Sequence, residues 1–292
     1  MICRCYQVAG FNFSVYAHDD SWECLNFAAY ETFVVDGSQD ELFHIAIEKW
    51  QNIPKGFTEI YRQSEGGGKI IYGSLSHVSV AFVFYSGHSI AGWLKTTDQF
   101  RDACLFIAEG YEKLAFDNAT MIMFSLATAR QKTALFHASV VSRNGFGYLF
   151  LGKSGTGKST HSRLWLKHLD GTELVNDDNP VVRIVDDEVR VYGSPWSGKT
   201  PCYRNVSFPI GGIVLLSQAS INQIKRMNNI QAYASLMISI SGMRWNRQLA
   251  DGLDETEKLL ISKVHMWHLE CLPDADAAML CASTVEKRNC YK

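Results

Sequence analysis

Several features are missing from this 292-residue chain, and each absence removes a class of protein. No window reaches about 18 consecutive apolar residues, so no membrane-spanning helix is expected. The N-terminus has no basic stretch leading into an apolar run, so no signal peptide is expected and the chain is read as cytoplasmic. There is no charge excess: 28 basic residues face 30 acidic ones, a net charge of −2. Neither nucleic acid nor a membrane surface would be drawn by bulk attraction. The eight cysteines (Cys3, Cys5, Cys24, Cys104, Cys202, Cys271, Cys281 and Cys290) include no C-x-x-C pair and read as reduced thiols. Repeats and low-complexity segments are also absent. What remains is ordinary for a soluble globular chain, 47% apolar and 20% charged, long enough to bury a sizeable core in two domains or one large one.

Against that plain background one stretch stands out, Gly152-Lys153-Ser154-Gly155-Thr156-Gly157-Lys158-Ser159-Thr160. It fits G-x-x-x-x-G-K-[ST], the phosphate-binding P-loop pattern. An apolar, strand-like run (residues 146–151) precedes it, and Leu164, Trp165 and Leu169 follow at helical spacing. The glycines let the backbone curl so that successive N–H groups face a phosphate. The following helix adds the positive end of its dipole. Lys158 is expected to reach the outer phosphates, and the Ser159 hydroxyl to ligate Mg²⁺.

The remainder of the chain organises around this loop. Residues 1 to about 130 read as an α+β unit, rich in aromatics and with no catalytic constellation. Strands are expected over residues 1–15 and 27–35, with residues 40–47 ambiguous. A hairpin about Gly66-Gly67-Gly68 joins residues 59–62 to 70–72, and another strand covers 77–84. The triple glycine lacks a Lys-Ser partner and a following helix, so it is not read as a second phosphate loop. Helices are expected over 98–108 and 118–130, with Asn118 capping the second. The polar exit Arg130-Gln131-Lys132 sets the division into domains 1–130 and 131–292.

In the second domain a strand over 134–141 meets the strand 146–151 through Asn144-Gly145, a strong hairpin signal. His137 lies on the first of these strands, where a lone His is more often structural than functional. The strand at 173–178 ends in Asp177-Asp178, 19 and 20 residues after Lys158. Acids at a strand end beside a P-loop hold Mg²⁺ or orient a nucleophile. Adjacent strand residues face opposite ways, so the two acids can divide that work. The competing reading is that Asp-Asp-Asn-Pro is simply good turn chemistry. Asp186-Asp187-Glu188 reads as a solvated hairpin tip. The loop 193–201, with Lys199 and the following Arg204, is open between a plain connection and a lining of the site. A strand at 209–216, helices at 229–240 and 254–262, a strand at 263–269 and a helix at 274–284 complete the chain. His265 and His268 face opposite sides of an extended segment and are not read as a metal pair.

Phe136-His137-Ala138, the loop Gly152 to Thr160, and Leu174-Val175-Asn176-Asp177-Asp178 together resemble the catalytic domain of the HPr kinase/phosphorylase family. That fold is shared with the phosphoenolpyruvate carboxykinases. The resemblance spans residues 134 to 287, and the loop 193–201 with the closing strand–Pro–helix is similar to a branch other than HPr kinase proper. It implies an α/β fold: a mixed sheet carrying the P-loop, with flanking helices, beside the α+β N-terminal domain. It further implies an ATP-dependent, Mg²⁺-requiring kinase acting on a hydroxyl, that of serine in a protein or peptide. Carried over by residue, the whole loop Gly152 to Thr160 binds the nucleotide phosphates, and Ser159 with Asp177 holds Mg²⁺. Asp178 takes the proton from the attacking hydroxyl, and His137 sits beside the phosphates with Lys158. No segment after residue 200 matches the family's second, glycine-containing signature, and the first 130 residues do not match its usual N-terminal domain. Two other readings compete: a nucleotide-sensing regulatory module without transfer chemistry, and a small-molecule kinase. Nucleic acid and membrane are not expected as partners, and a homo-oligomer is compatible with this reading.

Overall fold

The computed structural model describes residues 2–18, 25, 27–37, 40–65, 68–76, 79–198 and 200–286. The chain divides into two compact units, Met1–Ala127 and Thr128–Lys292.

The first unit contains β1 (Ile2–Val8), β2 (Phe11–Ala17), the one-turn helix α1 (Ala28–Glu31) and β3 (Val34–Val35). It continues with β4 (Glu41–Glu48), β5 (Thr58–Glu65), β6 (Gly68–Ser74), β7 (Ser79–Ser86), β8 (Ser89–Thr97) and β9 (Asp102–Ile107), and closes with α2 (Glu112–Thr128). The strands form one nine-stranded sheet in the order β3-β1-β2-β4-β9-β8-β7-β6-β5. It is mixed: β2–β4 and β4–β9 are parallel and the other pairs antiparallel. Aromatic stacking fills its core, with Phe13 on Phe43 at 4.8 Å and Trp93 on Phe106 at 4.1 Å between ring centroids.

Three expectations for this unit are corrected. The helix expected over residues 98–108 is strand β9. Its apolar run Cys104-Leu105-Phe106-Ile107 is short enough to suit either period. The slot between β4 and β8 decides for the strand. The helix expected from Asn118 starts at Glu112, and Asn118 lies inside it, donating to the Leu114 carbonyl at 2.8 Å instead of capping. Residues 27–35 contain α1 and only Val34–Val35 as strand. The ambiguous residues 40–47 contain strand β4. Of the expected hairpin, β5 and β6 pair antiparallel, while Gly66 and Gly67 lie outside the described residues.

The second unit begins with β10 (Thr133–Phe136), β11 (Ala138–Arg143), β12 (Phe146–Leu151), α3 (Lys158–His168) and β13 (Glu173–Asp178). Then come β14 (Val181–Val185), β15 (Glu188–Tyr192), β16 (Ser207–Gln218), β17 (Gln223–Arg226), α4 (Asn229–Ser239) and β18 (Ile240–Ser241). α5 (Arg247–Lys263), β19 (Met266–Cys271) and α6 (Ala275–Val285) complete it. The main sheet path runs β13-β11-β12-β16-β15-β14-β10-β18, with β19 pairing both β16 and β17. Tyr148, Phe150, Trp165, Leu269, Cys281 and Val285 share the core between this sheet and the helices α3 and α6.

Two local features aim the chain at the loop. Asn144 and Gly145 both take positive φ, 52° and 80°, the turn that matches the right-handed twist of the β11–β12 hairpin. β12 is then buried along most of its length, with β11 antiparallel on one side and β16 parallel on the other. β13 runs antiparallel to β11 and hence in the same direction as β12. The acids that end β13 therefore arrive at the same edge of the sheet as the loop that ends β12. In open α/β sheets this carboxyl edge is where ligands bind.

The strand expected over 134–141 is two strands, β10 and β11, interrupted at His137. β10 pairs with β14 and β18, whereas β11 pairs with β12 and β13. The expected start of α5 at Asp254 is also corrected. That helix begins at Arg247, where the Asn246 side chain accepts the Leu249 N–H at 3.2 Å. Lys263 then closes α5, and the last strand starts at Met266.

Candidate active site

The loop Gly152 to Gly157 connects β12 to α3, and it depends on glycine at two points. Gly152 has φ +150°, and a Cβ there would come within 2.5 Å of Thr156 Oγ1. Gly157 has φ +105° and caps α3 with no side-chain hydrogen bond. The first turn of α3 also carries no acidic residue. The start of α3 therefore has neither a side-chain cap nor an acid of its own, and an anion suits the N–H groups of such a helix end. Within the loop, the Thr156 N–H and hydroxyl both donate to the Lys153 carbonyl, at 3.1 and 2.8 Å. Gln218, at the end of the neighbouring β16, donates to the Gly155 carbonyl at 3.2 Å. Lys153, Ser154 and Gly155 are exposed, whereas Ser159 and Thr160, in the first turn of α3, are half-buried.

Lys158 is buried at the base of the loop. Its Nζ donates to the Gly152 carbonyl at 2.9 Å and to His137 Nε2 at 2.8 Å. An ammonium has only protons to give, so Nε2 accepts and the ring proton of a neutral His137 sits on Nδ1. Nδ1 lies 3.1 Å from Asp178 Oδ1. The other carboxylate oxygen, Oδ2, accepts from Asn179 Nδ2 at 2.9 Å. Asp178, His137 and Lys158 thus form one hydrogen-bonded file that runs from a strand-end carboxylate into the glycine-rich loop.

The break between β10 and β11 is what places His137 in that file. Its backbone N–H donates to the Ser239 carbonyl at the end of α4 (2.7 Å), while the next residue, Ala138, pairs across the sheet with Asp178. Sequence reading missed this break because the apolar character continues straight through residue 137.

Asp177 faces the other way from Asp178, as alternation on a strand requires. It pairs with Ser139, whose hydroxyl meets Ser162 of α3 at 2.6 Å. Cross-strand partners share a face. Ser159 and Ser162 lie one turn apart on α3. Asp177 and Ser159 therefore belong to the same side of the sheet. The buried carboxylate of Asp177 and the hydroxyl of Ser159 enter no hydrogen bond or ion pair among the described residues. Two hard oxygen donors without such partners among the described residues fit a Mg²⁺ ion. No cluster of three or more His, Cys, Asp or Glu side chains suited to a metal occurs among the described residues.

One residue that positions the acids was not anticipated. Asn176 is fully buried, and its Oδ1 accepts the backbone N–H groups of Asp178 (3.1 Å) and Asn179 (2.9 Å). Its Nδ2 donates to Ser194 Oγ at 3.1 Å, and that hydroxyl donates to the Asn179 carbonyl at 2.6 Å. The available signal was the side-chain turn chemistry of Asn followed by polar residues. The loop 193–201 is tied into the same corner: Gly198 N–H donates to the Asp177 carbonyl at 2.8 Å, and Trp196 is buried. Lys199 lies outside the described residues. Arg204 is not in the site. It binds the Leu174 carbonyl and the Glu173 carboxylate, each at 2.7 Å, at the opposite end of β13 from the two acids.

Other histidines lie apart from this constellation. His161 is buried, and burial pushes its pKa down to about 4. Trp165 Nε1 donates to its Nε2 at 3.0 Å. His265 and His268 pair separately, with Arg226 at 2.7 Å and Ser217 at 2.8 Å.

No family model matches the chain, and no curated protein matches it. Among solved structures, the HPr(Ser) kinase/phosphatase from Coxiella burnetii is similar over 53% of this chain and 96% of its own, with 11% sequence identity and a TM-score of 0.32. At that TM-score the likeness does not extend to the placement of individual residues. Among the described residues, no helix is long and apolar enough to cross a membrane.

Proposed function

We propose that this chain is an ATP-dependent, Mg²⁺-requiring phosphotransferase of the cytoplasm, acting on the hydroxyl of a serine in a protein or peptide. One observation carries the reading: the file Asp178–His137–Lys158 joins a strand-end carboxylate to the lysine of a glycine-rich loop. Phosphoryl transfer asks a protein for positioning and charge neutralisation more than for covalent chemistry. The loop Gly152 to Thr160 holds the polyphosphate with its N–H groups and the start of α3. Lys158 offsets the charge that develops on the transferred group. Ser159 and Asp177 would hold Mg²⁺, which when bound supplies further charge neutralisation at the phosphate oxygens. The Asp178–His137 pair orients the attacking hydroxyl and receives its proton.

A module that only senses nucleotide needs the loop but has no use for a carboxylate–imidazole pair beside it. Incubation with Mg²⁺ and ATP labelled on the γ-phosphate, over a panel of serine-containing proteins and peptides and of small hydroxyl compounds such as free serine, separates the readings. Label appearing on an acceptor serine supports the kinase. Tight nucleotide binding with neither transfer nor slow hydrolysis supports the sensing module. Label appearing only on small hydroxyl compounds supports the small-molecule kinase.

A further inference from the structure

We infer that Lys158 gates His137: nucleotide phosphates draw the ammonium away from the imidazole, and the Nε2 so released is the atom that takes the proton of the attacking hydroxyl. This rests on the phosphate-binding reading of the loop.

The argument starts from competition for one ammonium. The neutral partners of Lys158 include the Gly152 carbonyl at 2.9 Å, His137 Nε2 at 2.8 Å and, more distantly, the Lys153 carbonyl at 3.5 Å. A phosphate in the loop offers charged oxygens, which form stronger hydrogen bonds with an ammonium than neutral lone pairs do. Imidazole Nε2 has a single lone pair, and Lys158 occupies it. While that contact lasts, His137 cannot accept a proton. When Lys158 turns to the phosphates, Nε2 becomes free and Asp178 still holds Nδ1–H, the tautomer a base at Nε2 requires.

Once Lys158 has turned away, Nε2 carries a lone pair that no longer accepts the ammonium. Each oxygen of Asp178 already accepts an N–H, from His137 and from Asn179. The His137 side chain is 31% exposed, so a substrate hydroxyl can reach it. In the resulting step the hydroxyl oxygen bonds to the γ-phosphorus and the bond to the β,γ-bridging oxygen breaks. ADP leaves with that electron pair. The hydroxyl proton passes to Nε2, and the imidazolium is held against the Asp178 carboxylate. The gate keeps the base masked until a phosphoryl donor is bound.

Two measurements on the full chain test this, with Mg²⁺ and a non-hydrolysable ATP analogue as the probe. With isotope-labelled histidine, the Nε2 resonance that disappears in His137→Ala is expected to move on saturation to the position of an imidazole nitrogen without a hydrogen bond, while Nδ1 stays protonated. By calorimetry, His137→Ala is expected to bind the analogue about 2- to 10-fold more tightly, because Lys158 then has one fewer partner to leave. A merely structural histidine would leave affinity unchanged or lower it. If the analogue binds but Nε2 does not move, or if affinity in the variant is unchanged or falls, the gate is wrong and the phosphate loop stands. If the unsubstituted chain does not bind the analogue at all, the phosphate-loop reading and the gate fall together. Should His137→Ala fail to fold, the resonance of the unsubstituted chain still decides.

Discussion

Lys158 is a buried ammonium held by a carbonyl and a histidine, and the proposed site depends on it more than on any other side chain. Lys158→Ala removes a hydrogen bond to a charged group, so nucleotide affinity should fall about 10- to 100-fold; unchanged affinity by calorimetry would place the phosphates elsewhere. Asp178→Asn should keep nucleotide affinity and lower transfer by about 10²- to 10⁴-fold, the range of a lost acid–base group. Equal loss of binding and transfer would remove Asp178 from the chemistry. His161 behaves differently, because its role is in packing. Unfolded, its imidazole takes a proton near its ordinary value of 6.5; folded, it does so only near about 4. Between those values the unfolded chain binds more protons. Stability should therefore fall as pH drops from about 6.5 to about 4, by on the order of 3 kcal/mol, and level off below. Urea midpoints of the nucleotide- and magnesium-free chain across that window would show it, and His161→Phe should flatten the slope. At this scale the loop residues were legible because G-x-x-x-x-G-K-[ST] is a local pattern with a local geometry. Asn176 was not, because a buried amide is recognised by what it binds, and Ser194 is distant in sequence.

Elements were legible where a stretch carries only one period. The strand before the loop and the helix after it are such cases, and so is the turn at Asn144-Gly145. They were not legible where neighbours decide. β9 could be written as a helix until β4 and β8 are seen to flank it. The break at His137 likewise arises because β10 and β11 join different strands. α5 shows how a buried ion pair helps to anchor an element. Glu257 on its inner face is fully buried and meets Arg244 at 2.5 Å. Arg244→Ala would leave that carboxylate buried without its cation, and should cost about 3–5 kcal/mol in a urea denaturation series. A cost below about 1 kcal/mol would mean that water reaches Glu257 readily.

At the scale of the whole chain, two compact units, Met1–Ala127 and Thr128–Lys292, are each built on a mixed sheet, and the proposed ligand belongs to the second. A ligand at 100 times its dissociation constant stabilises the state that binds it by about 2.7 kcal/mol. Mg²⁺ with an ATP analogue should therefore raise the melting temperature of the second unit by roughly 5–10 °C. In calorimetric scans the transition of the first unit should stay in place; a shift confined to the first unit would move the binding site there. The sequence by itself determined that a glycine-rich loop sits between a strand and a helix, because backbone curl and strand and helix periods are encoded over a few adjacent residues. Only the tertiary structure decided that β11 lies between β12 and β13 in this register. That register brings Asp178 and His137 to Lys158 and turns Asp177 toward the side of Ser159. The Lys158–His137 contact joins residues 21 apart in sequence, and the His137–Asp178 contact joins residues about twice as far apart, so both exist only once the strands have paired.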